Sequence, residues 1–398
     1  MRRRILIAGG GIAGINAAKS AREQDQNIDI TILEEGDSNT YVRTRLPDYI
    51  SGIASYKELF PYDDAWYAAN KITLHKNTRI TGIDTINRTI FTDNGLHEYD
   101  SLIITLGSSG NIPPIPGADL ENCFPVRTIA DAEKIKTLSG QNKTCSIIGG
   151  GLLGLEMAWA IRQLGCDINI IEHNPRLLPR QMDEQGAELL QKAISDKGIK
   201  LYLKSDVEEI TGKVKAEYVN LKDGTRIKSD FVLLSVGVRS NTQPFSTSGI
   251  DINRAIVVDK HMNTNFEGIF AAGDIAEYNG KNFNIWPIAV EQGKVAGNNA
   301  AGGNLEYSEI YPFTSLKIKG ITMFSIGNIF SEDSMITAEF DAKKERYVKL
   351  LIKDDIIMAA IVFGDSSLPI KIKNAIVRKT KLPTNRDGMS IKNLIENL

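Results

Sequence analysis

The chain has 398 residues, of which 42% are hydrophobic and 24% charged, with a formal net charge of −2. At roughly 150 residues per domain, this length supports two to three domains of ordinary globular composition. Disordered, collagen-like and coiled-coil classes are excluded, and no strong overall field points to nucleic acid or a membrane. No apolar run approaches the ~20 residues needed to span a bilayer. The opening MRRRILIAGGG imitates a signal peptide, but its apolar run is too short and ends in glycines. Three cysteines, Cys123, Cys145 and Cys166, form no Cys-x-x-Cys pair. That argues against a disulfide framework and a Cys-based zinc site, and for a reducing cytoplasm.

Residues 4–16, RILIAGGGIAGIN, predict an apolar strand, a glycine turn and a small-residue helix from Ile12 to about Arg22. A second strand, IDITILE, ends at Glu34. Residues 101–117 predict a strand that closes the first domain, followed by a Gly/Ser/Pro-rich crossing. Residues 144–156, TCSIIGGGLLGLE, repeat the opening pattern, with a helix to about Leu164 and a strand ending at Glu172. Apolar strands follow at 230–241 and 267–277. After Pro312 the runs TSLKIKG, ITMFSIGN, RYVKLLIK and IIMAAIVF predict short strands. A helix-like tail to Leu398 follows. From Lys343 onward there are twelve Lys/Arg against six Asp/Glu, so the tail is basic and the remainder acidic. Such a tail is a solvated surface or a docking face for an acidic partner.

The first turn reads Gly9-x-Gly11-x-x-Gly14. Its glycines allow a tight turn, close approach of a pyrophosphate to the backbone, and close helix–strand packing. Free N–H groups at the helix start, including Ile12 and Ala13, then hold phosphate. Glu34, about twenty residues on, is placed to accept ribose hydroxyls. The second turn is Gly149-x-Gly151-x-x-Gly154, with Glu172 in the matching place. An acid there favours NADH over NADPH, although Arg176 and Arg180 lie nearby. Two dinucleotide sites in one chain suit a hydride relay between two dinucleotides, of which FAD and a nicotinamide are the obvious pair.

These motifs resemble the FAD-dependent pyridine nucleotide–disulfide oxidoreductase superfamily along nearly the whole chain. ILIAGGGIAG and SIIGGGLLGLE match its two fingerprints. Thr105, Leu106 and Gly107 loosely match its central strand end. GVRSN, from Gly237, approximates a G-x-x-P-N segment with Ser240 in place of Pro. TNFEGIFAAGD matches its second flavin motif, which implies that Gly273 and Asp274 bind the ribityl and pyrophosphate region. The helix AVEQGKVAGNNA resembles one whose start points at the flavin pyrimidine, so Gln292 is expected to bond the pyrimidine oxygens. The stretch 38–52, SNTYVRTRLPDYISG, lacks the redox cysteines for which the superfamily is named. Its Tyr41, Arg43 and Leu46 resemble the cysteine-free branch. That branch includes rubredoxin reductases, ferredoxin reductases of oxygenase systems and the flavin region of assimilatory nitrite reductases. Chain length, the short C-terminal domain, and the stretches EQGKVAGNNA and YSEIYPF point within it to the NADH:rubredoxin oxidoreductases.

The resemblance implies an α/β fold: two Rossmann-like, three-layer dinucleotide-binding domains plus a small α+β C-terminal domain. The expected divisions are 1–112 with 245–311 for FAD, 113–244 for NAD(H), and 312–398. Hydride would pass from NADH to FAD, then electrons singly to rubredoxin or a similar small acidic carrier. Arg43 and Glu156 are expected as the catalytic polar pair beside the flavin, with Arg45 a rival to Arg43. A guanidinium would act by charge rather than as an acid. Alternatives are an NADH-input subunit of a larger redox complex, or an NADH oxidase or diaphorase. A homodimer is also open. His75, His97, His173 and His261 have no metal-binding spacing.

Overall fold

The computed structural model describes residues 2–383 and 389–396. The chain divides into two compact units, 1–110 with 237–310, and 111–236 with 311–398.

In the first unit, five parallel strands lie in the order Ile269–Ala271, Ser101–Ile104, Arg4–Ala8, Asp29–Leu33 and Ile72–His75. Their central members are near-continuous Ile and Leu, as strands buried on both faces require. The helix Ile12–Gln24 packs against Trp286–Ala300. Gly293 and Gly297 permit this contact, since a Cβ there would fall 2.3 and 2.0 Å from the carbonyl oxygens of Ala13 and Ala17. That close approach explains the small residues of AVEQGKVAGNNA. Strands Ile80–Asp84, Thr89–Thr92 and Gly95–Glu98 form an antiparallel meander, and Ile80 and Ile90 join the core of the parallel sheet.

Tyr99 closes the meander, buried and with no hydrogen-bond partner for its hydroxyl. Burial pushes its phenol up to about 12. Because this lies above the unfolded value, the stability linked to Tyr99 is complete below pH 10 and is lost as pH rises from 10 through about 12. Tyr99→Phe is expected to hold stability at pH 7 or raise it by about 1 kcal/mol, and to lessen the alkaline loss. Thermal melts at pH 7 and 10.5 check this, and clear destabilisation at pH 7 would count against it.

In the second unit, parallel strands lie in the order Ile199–Leu203, Asp167–Glu172, Thr144–Ile148, Phe231–Leu234 and Cys123–Pro125. The order mirrors the first unit, so the repeated motif is a repeated fold. Cys123, expected in a connecting segment, is in an edge strand. The C-terminal segment builds an antiparallel sheet in the order Phe313–Ser315, Met323–Ile326, Ile356–Phe363, Arg346–Lys353 and Met335–Asp341. It carries its own core, shared with helices Pro369–Arg378 and Ile391–Glu396.

Three sequence expectations differ from this arrangement. Residues 237–244 stay with the first unit, because Val238–Ser240 pairs antiparallel with Ser108–Gly110. The segment from 311 groups with the nucleotide-binding part of its unit. There the Tyr347 hydroxyl and Lys349 Nζ donate to Asp183 Oδ2 at 2.7 and 3.1 Å, while Asp183 Oδ1 caps the helix Glu184–Ser195. The tail is not one helix. Pro369–Arg378 ends at Lys379, which is left-handed with φ 51°, and a second helix starts at Ile391. Residues 384–388 and 397–398 of the expected tail lie outside the described residues. Among the described residues, no helix is long and apolar enough to cross a membrane.

Candidate functional site

In the first unit the predicted residues gather at the C-terminal ends of the parallel strands, where open α/β sheets bind ligands. Gly9 follows Ala8 with φ +110°, and a Cβ there would fall 2.5 Å from the Thr105 carbonyl oxygen. At Gly14 a Cβ would fall 2.1 Å from the Gly9 carbonyl oxygen. Packing alone requires both glycines. Gly11 differs: a Cβ there meets nothing within 4 Å, and its φ is an ordinary −70°. The protein has no steric or conformational need for glycine at 11. A group approaching the backbone there would supply one.

The second unit repeats this in detail. Gly149 and Gly154 would place a Cβ 2.3 and 2.2 Å from carbonyl oxygens of Ser235 and Gly149. Gly151 again has open space and φ −78°. Both following helices, Ile12–Gln24 and Leu152–Arg162, begin without a side-chain cap or an acid in the first turn. Their first N–H groups, Ile12 and Ala13 or Leu152 and Leu153, are thus available to an anion. These donor sets fit a dinucleotide pyrophosphate at each turn.

The two acids are better held than sequence spacing indicates. Glu34 Oε2 accepts the Gly10 N–H at 2.7 Å, and Oε1 accepts that of Gly36 at 2.9 Å. Glu172 Oε2 accepts the Gly150 N–H at 2.6 Å, while Oε1 accepts both N–H donors of Asn174. Each carboxylate fixes its turn while its remaining lone pairs can accept a ribose hydroxyl. Near Glu172, Arg176 donates Nε to the Met182 carbonyl at 3.2 Å, and His173 pairs with Asp206 at 2.5 Å. Arg180 is exposed.

Thr105 Oγ1 donates to the Gly9 carbonyl at 2.8 Å, and Asn241 Nδ2 to that of Leu106. The Asn241 N–H bonds the Gly107 carbonyl. Gly107 and Gly237 both have positive φ and open surroundings. Gly273 abuts the helix start, with a Cβ position 2.9 Å from Ala13 Cβ, so Gly273 and Asp274 share the first turn's neighbourhood. Asp274 Oδ2 accepts from Ser108 Oγ at 2.7 Å, and its carbonyl accepts from Ser240 Oγ at 2.6 Å. Ser240, the departure from the Pro pattern, therefore makes a bond that proline lacks the donor to make. Gln292, expected near the pyrimidine, lies almost two turns into its helix, and its Oε1 accepts the Gly273 N–H at 2.9 Å. From there it steadies the Gly273–Asp274 turn.

Arg43 and Glu156, expected as a polar pair, belong to different units. The Arg43 guanidinium stands over the Tyr41 ring at 5.9 Å. Arg45, its rival, is committed to the Glu58 carbonyl at 2.9 Å. Glu156 is buried, and its Oε1 accepts the Lys317 N–H at 3.1 Å. All three thiols are buried. Burial pushes Cys123 up to about 11 and also raises Cys145 well above the usual thiol range, so both stay protonated at neutral pH.

Sequence reasoning missed Thr40, Tyr67, Ser108 and Asn282. Thr40 Oγ1 donates to the Gly10 carbonyl at 2.5 Å, and Asn282 Nδ2 to that of Asp274 at 3.0 Å. None carries a periodic or motif signal. Each acts across a gap in sequence that only folding closes.

Comparison with known proteins agrees with this geometry. The family profile described as pyridine nucleotide-disulphide oxidoreductase matches residues 3–293. A second, described as the rubredoxin NAD+ reductase C-terminal domain, matches 312–380. The chain is 36% identical over 377 residues to the NADH-rubredoxin oxidoreductase of Clostridium acetobutylicum, covering 94% of each chain. The crystal structure of NADH:rubredoxin oxidoreductase from that organism superposes with a TM-score of 0.81 at 32% identity, covering all of both chains. The chain is also 35% identical over 373 residues to the nitrite reductase [NAD(P)H] of Bacillus subtilis. That match covers 92% of this chain but 46% of the relative, so the chain spans about half that protein's length.

Proposed function

Because the chain belongs to the pyridine nucleotide-disulphide oxidoreductase family, we propose that it is an FAD-dependent enzyme that oxidises NADH and delivers electrons singly to a small iron–sulfur carrier such as rubredoxin. The observation that carries this reading is the pair of turns whose central glycines, Gly11 and Gly151, packing does not require. When bound, FAD supplies the exchange between a hydride's electron pair and single electrons.

The first unit holds FAD. The N–H groups of Ile12 and Ala13 take its pyrophosphate, Glu34 a ribose hydroxyl, and Asp274 the ribityl chain. The second unit holds NADH through the N–H groups of Leu152 and Leu153, with Glu172 on the adenosine ribose. A 2′-phosphate would meet the Glu172 carboxylate, while Arg176, drawn to the Met182 carbonyl, is turned to another task. NADH is therefore preferred to NADPH. Arg43 and Glu156 are the charged groups assigned to tuning the transfer, Arg43 by charge alone. With no cysteine in 38–52 and all three thiols buried elsewhere, no thiol relay operates.

The carrier is acidic and docks on the basic C-terminal segment. Lys371, Arg378 and Lys379 are exposed on or just after the helix Pro369–Arg378, and Lys373 lies over the Phe313 ring at 4.0 Å. Anaerobic stopped-flow mixing tests the reading. NADH should bleach the flavin faster than NADPH, and rubredoxin should reoxidise it faster than dissolved oxygen. Equal reoxidation by oxygen would favour an oxidase or diaphorase. Replacing the four basic residues with alanine should slow the carrier step about tenfold at low salt and flatten its salt dependence, leaving reduction by NADH unchanged. Unchanged carrier rates would return this face to plain solvated surface.

A second reading is an NADH-input portion of a larger redox protein. It is favoured by the match to about half of the B. subtilis nitrite reductase. Size measurement of native complexes from the source separates the two.

A further inference from the structure

We infer that Thr40 and Tyr67 are positioning residues for the first dinucleotide turn, setting the direction of the Gly11 N–H and making this the site of the cofactor that stays bound. The inference rests on the reading of that turn as the FAD site.

The argument begins with the Gly10–Gly11 peptide. Thr40 Oγ1 donates to the Gly10 carbonyl at 2.5 Å, and both residues are buried. Tyr67 lies 2.9 Å from the same Thr40 oxygen, and the Thr40 N–H donates to the Tyr67 oxygen at 3.3 Å. One proton assignment satisfies all three contacts. Thr40 spends its only hydroxyl proton on Gly10, so Tyr67 must donate to Thr40. Tyr67 is buried on the short helix Asp64–Ala69, which Asp63 caps by accepting the Trp66 N–H.

The Gly10 carbonyl and the Gly11 N–H belong to one planar trans peptide, so they point in opposite directions. Holding the carbonyl towards Thr40 therefore aims the Gly11 N–H away from Thr40. On the other side of Gly10, Glu34 holds the N–H at 2.7 Å. Both peptides flanking Gly10 are thus fixed by side chains before a ligand arrives, which spares the binding step their ordering cost.

The second turn lacks this device. Its corresponding carbonyl, Gly150, accepts a backbone N–H from Leu178 at 3.3 Å. Leu178 is itself left-handed, with φ 48°, a conformation that costs a branched side chain energy. The hold is longer and draws on a less favoured backbone. A preorganised first turn and a looser second one match a resident cofactor and an exchanging one.

The test uses the full-length protein, with FAD removed and restored. Thr40→Val keeps the side-chain shape but leaves the Gly10 carbonyl without its donor. FAD should bind at least about tenfold more weakly and leave faster on dilution, read by recovery of flavin fluorescence. Thr40→Ser should return affinity to within about threefold, and Tyr67→Phe should fall between. NADH binding should not change, and the apoprotein should stay folded with its melting temperature lowered by only about 2–8 °C, the effect of one buried carbonyl left without its donor. Wild-type FAD affinity in Thr40→Val and Tyr67→Phe would overturn the inference. Equal weakening by serine and valine would also overturn it, because lost packing rather than a lost hydroxyl would be the cause. Should Thr40→Val not fold, Tyr67→Phe with unchanged FAD affinity suffices to overturn it. An unaltered chain that takes up no FAD would overturn the reading of the site as well.

Discussion

Gly11→Ala is expected to give a folded protein with little or no flavin and at least a hundredfold less NADH oxidation. The added Cβ meets no protein atom within 4 Å, so the fold should lose at most about 1 kcal/mol, the cost of a poorer N-cap residue. The same carbon enters the space in which a pyrophosphate must approach the backbone. Gly14→Ala makes the contrast. There the new carbon would sit 2.1 Å from the Gly9 carbonyl, and the helix Ile12–Gln24 must move off its strand. Overpacking of this kind costs about 3 kcal/mol or more, so loss of fold should accompany loss of flavin. In the second unit, Gly151→Ala should retain flavin that dithionite reduces but NADH reduces at least a hundredfold more slowly. Flavin content after gel filtration, with melting temperature alongside, decides the matter. Normal flavin in Gly11→Ala would remove the main support for a ligand at that turn.

The second large effect is expected at Arg22. This side chain is 6% exposed and faces backbone carbonyls rather than a carboxylate. Its guanidinium donates to carbonyls of Asn70, Gln26, Ile28 and Lys71 at 2.9 to 3.0 Å, and to Asp25 at 3.4 Å. Burial lowers its pKa, yet a guanidinium keeps its proton in proteins. The fork thereby ties the end of Ile12–Gln24 to the connection before the strand Asp29–Leu33 and to the loop before Ile72–His75. Arg22→Met preserves most of the volume and leaves these carbonyls without donors. Some regain water at the surface, so the expected loss is about 3 kcal/mol rather than the sum of five bonds. For a unit of this size that lowers the melting temperature by about 6–12 °C. Arg22→Lys should recover only a part, since one ammonium cannot span the same fork. A melting temperature within 2 °C or so of wild type for Arg22→Met would refute this account.

Much of the candidate site was legible because its residues are local. Gly9, Gly11, Gly14 and Glu34 fall within one strand–helix–strand unit, and glycine spacing with a terminal acid reports its geometry. The same holds for Gly149, Gly151, Gly154 and Glu172. The Gly273–Asp274 turn was legible through a resemblance rather than through spacing. Two features escaped for different reasons. The edge strand Met335–Asp341 alternates apolar and polar residues from Ile336 to Asp341, but with the faces inverted: Met335, Ile336 and Phe340 are exposed while Thr337, Glu339 and Asp341 are half-buried. The tail was read as one helix because the left-handed break at Lys379 carries no glycine.

By itself, the sequence determined that two dinucleotide turns exist, that each carries its own acid, and that no redox thiol accompanies them. Those properties depend on backbone conformation over a dozen or so neighbouring residues, where side-chain type limits what the chain can do. Only the tertiary structure decided which glycines serve packing and which leave room for a ligand, because that depends on atoms brought from elsewhere. Thr105 is what forbids a Cβ at Gly9, and nothing forbids one at Gly11. It likewise decided what holds the site. Ser108 reaches Asp274 across 166 residues of chain, and Thr40 reaches Gly10 across 30. A hydrogen bond is specified by a few tenths of an ångström, and separation along the chain carries no record of that distance.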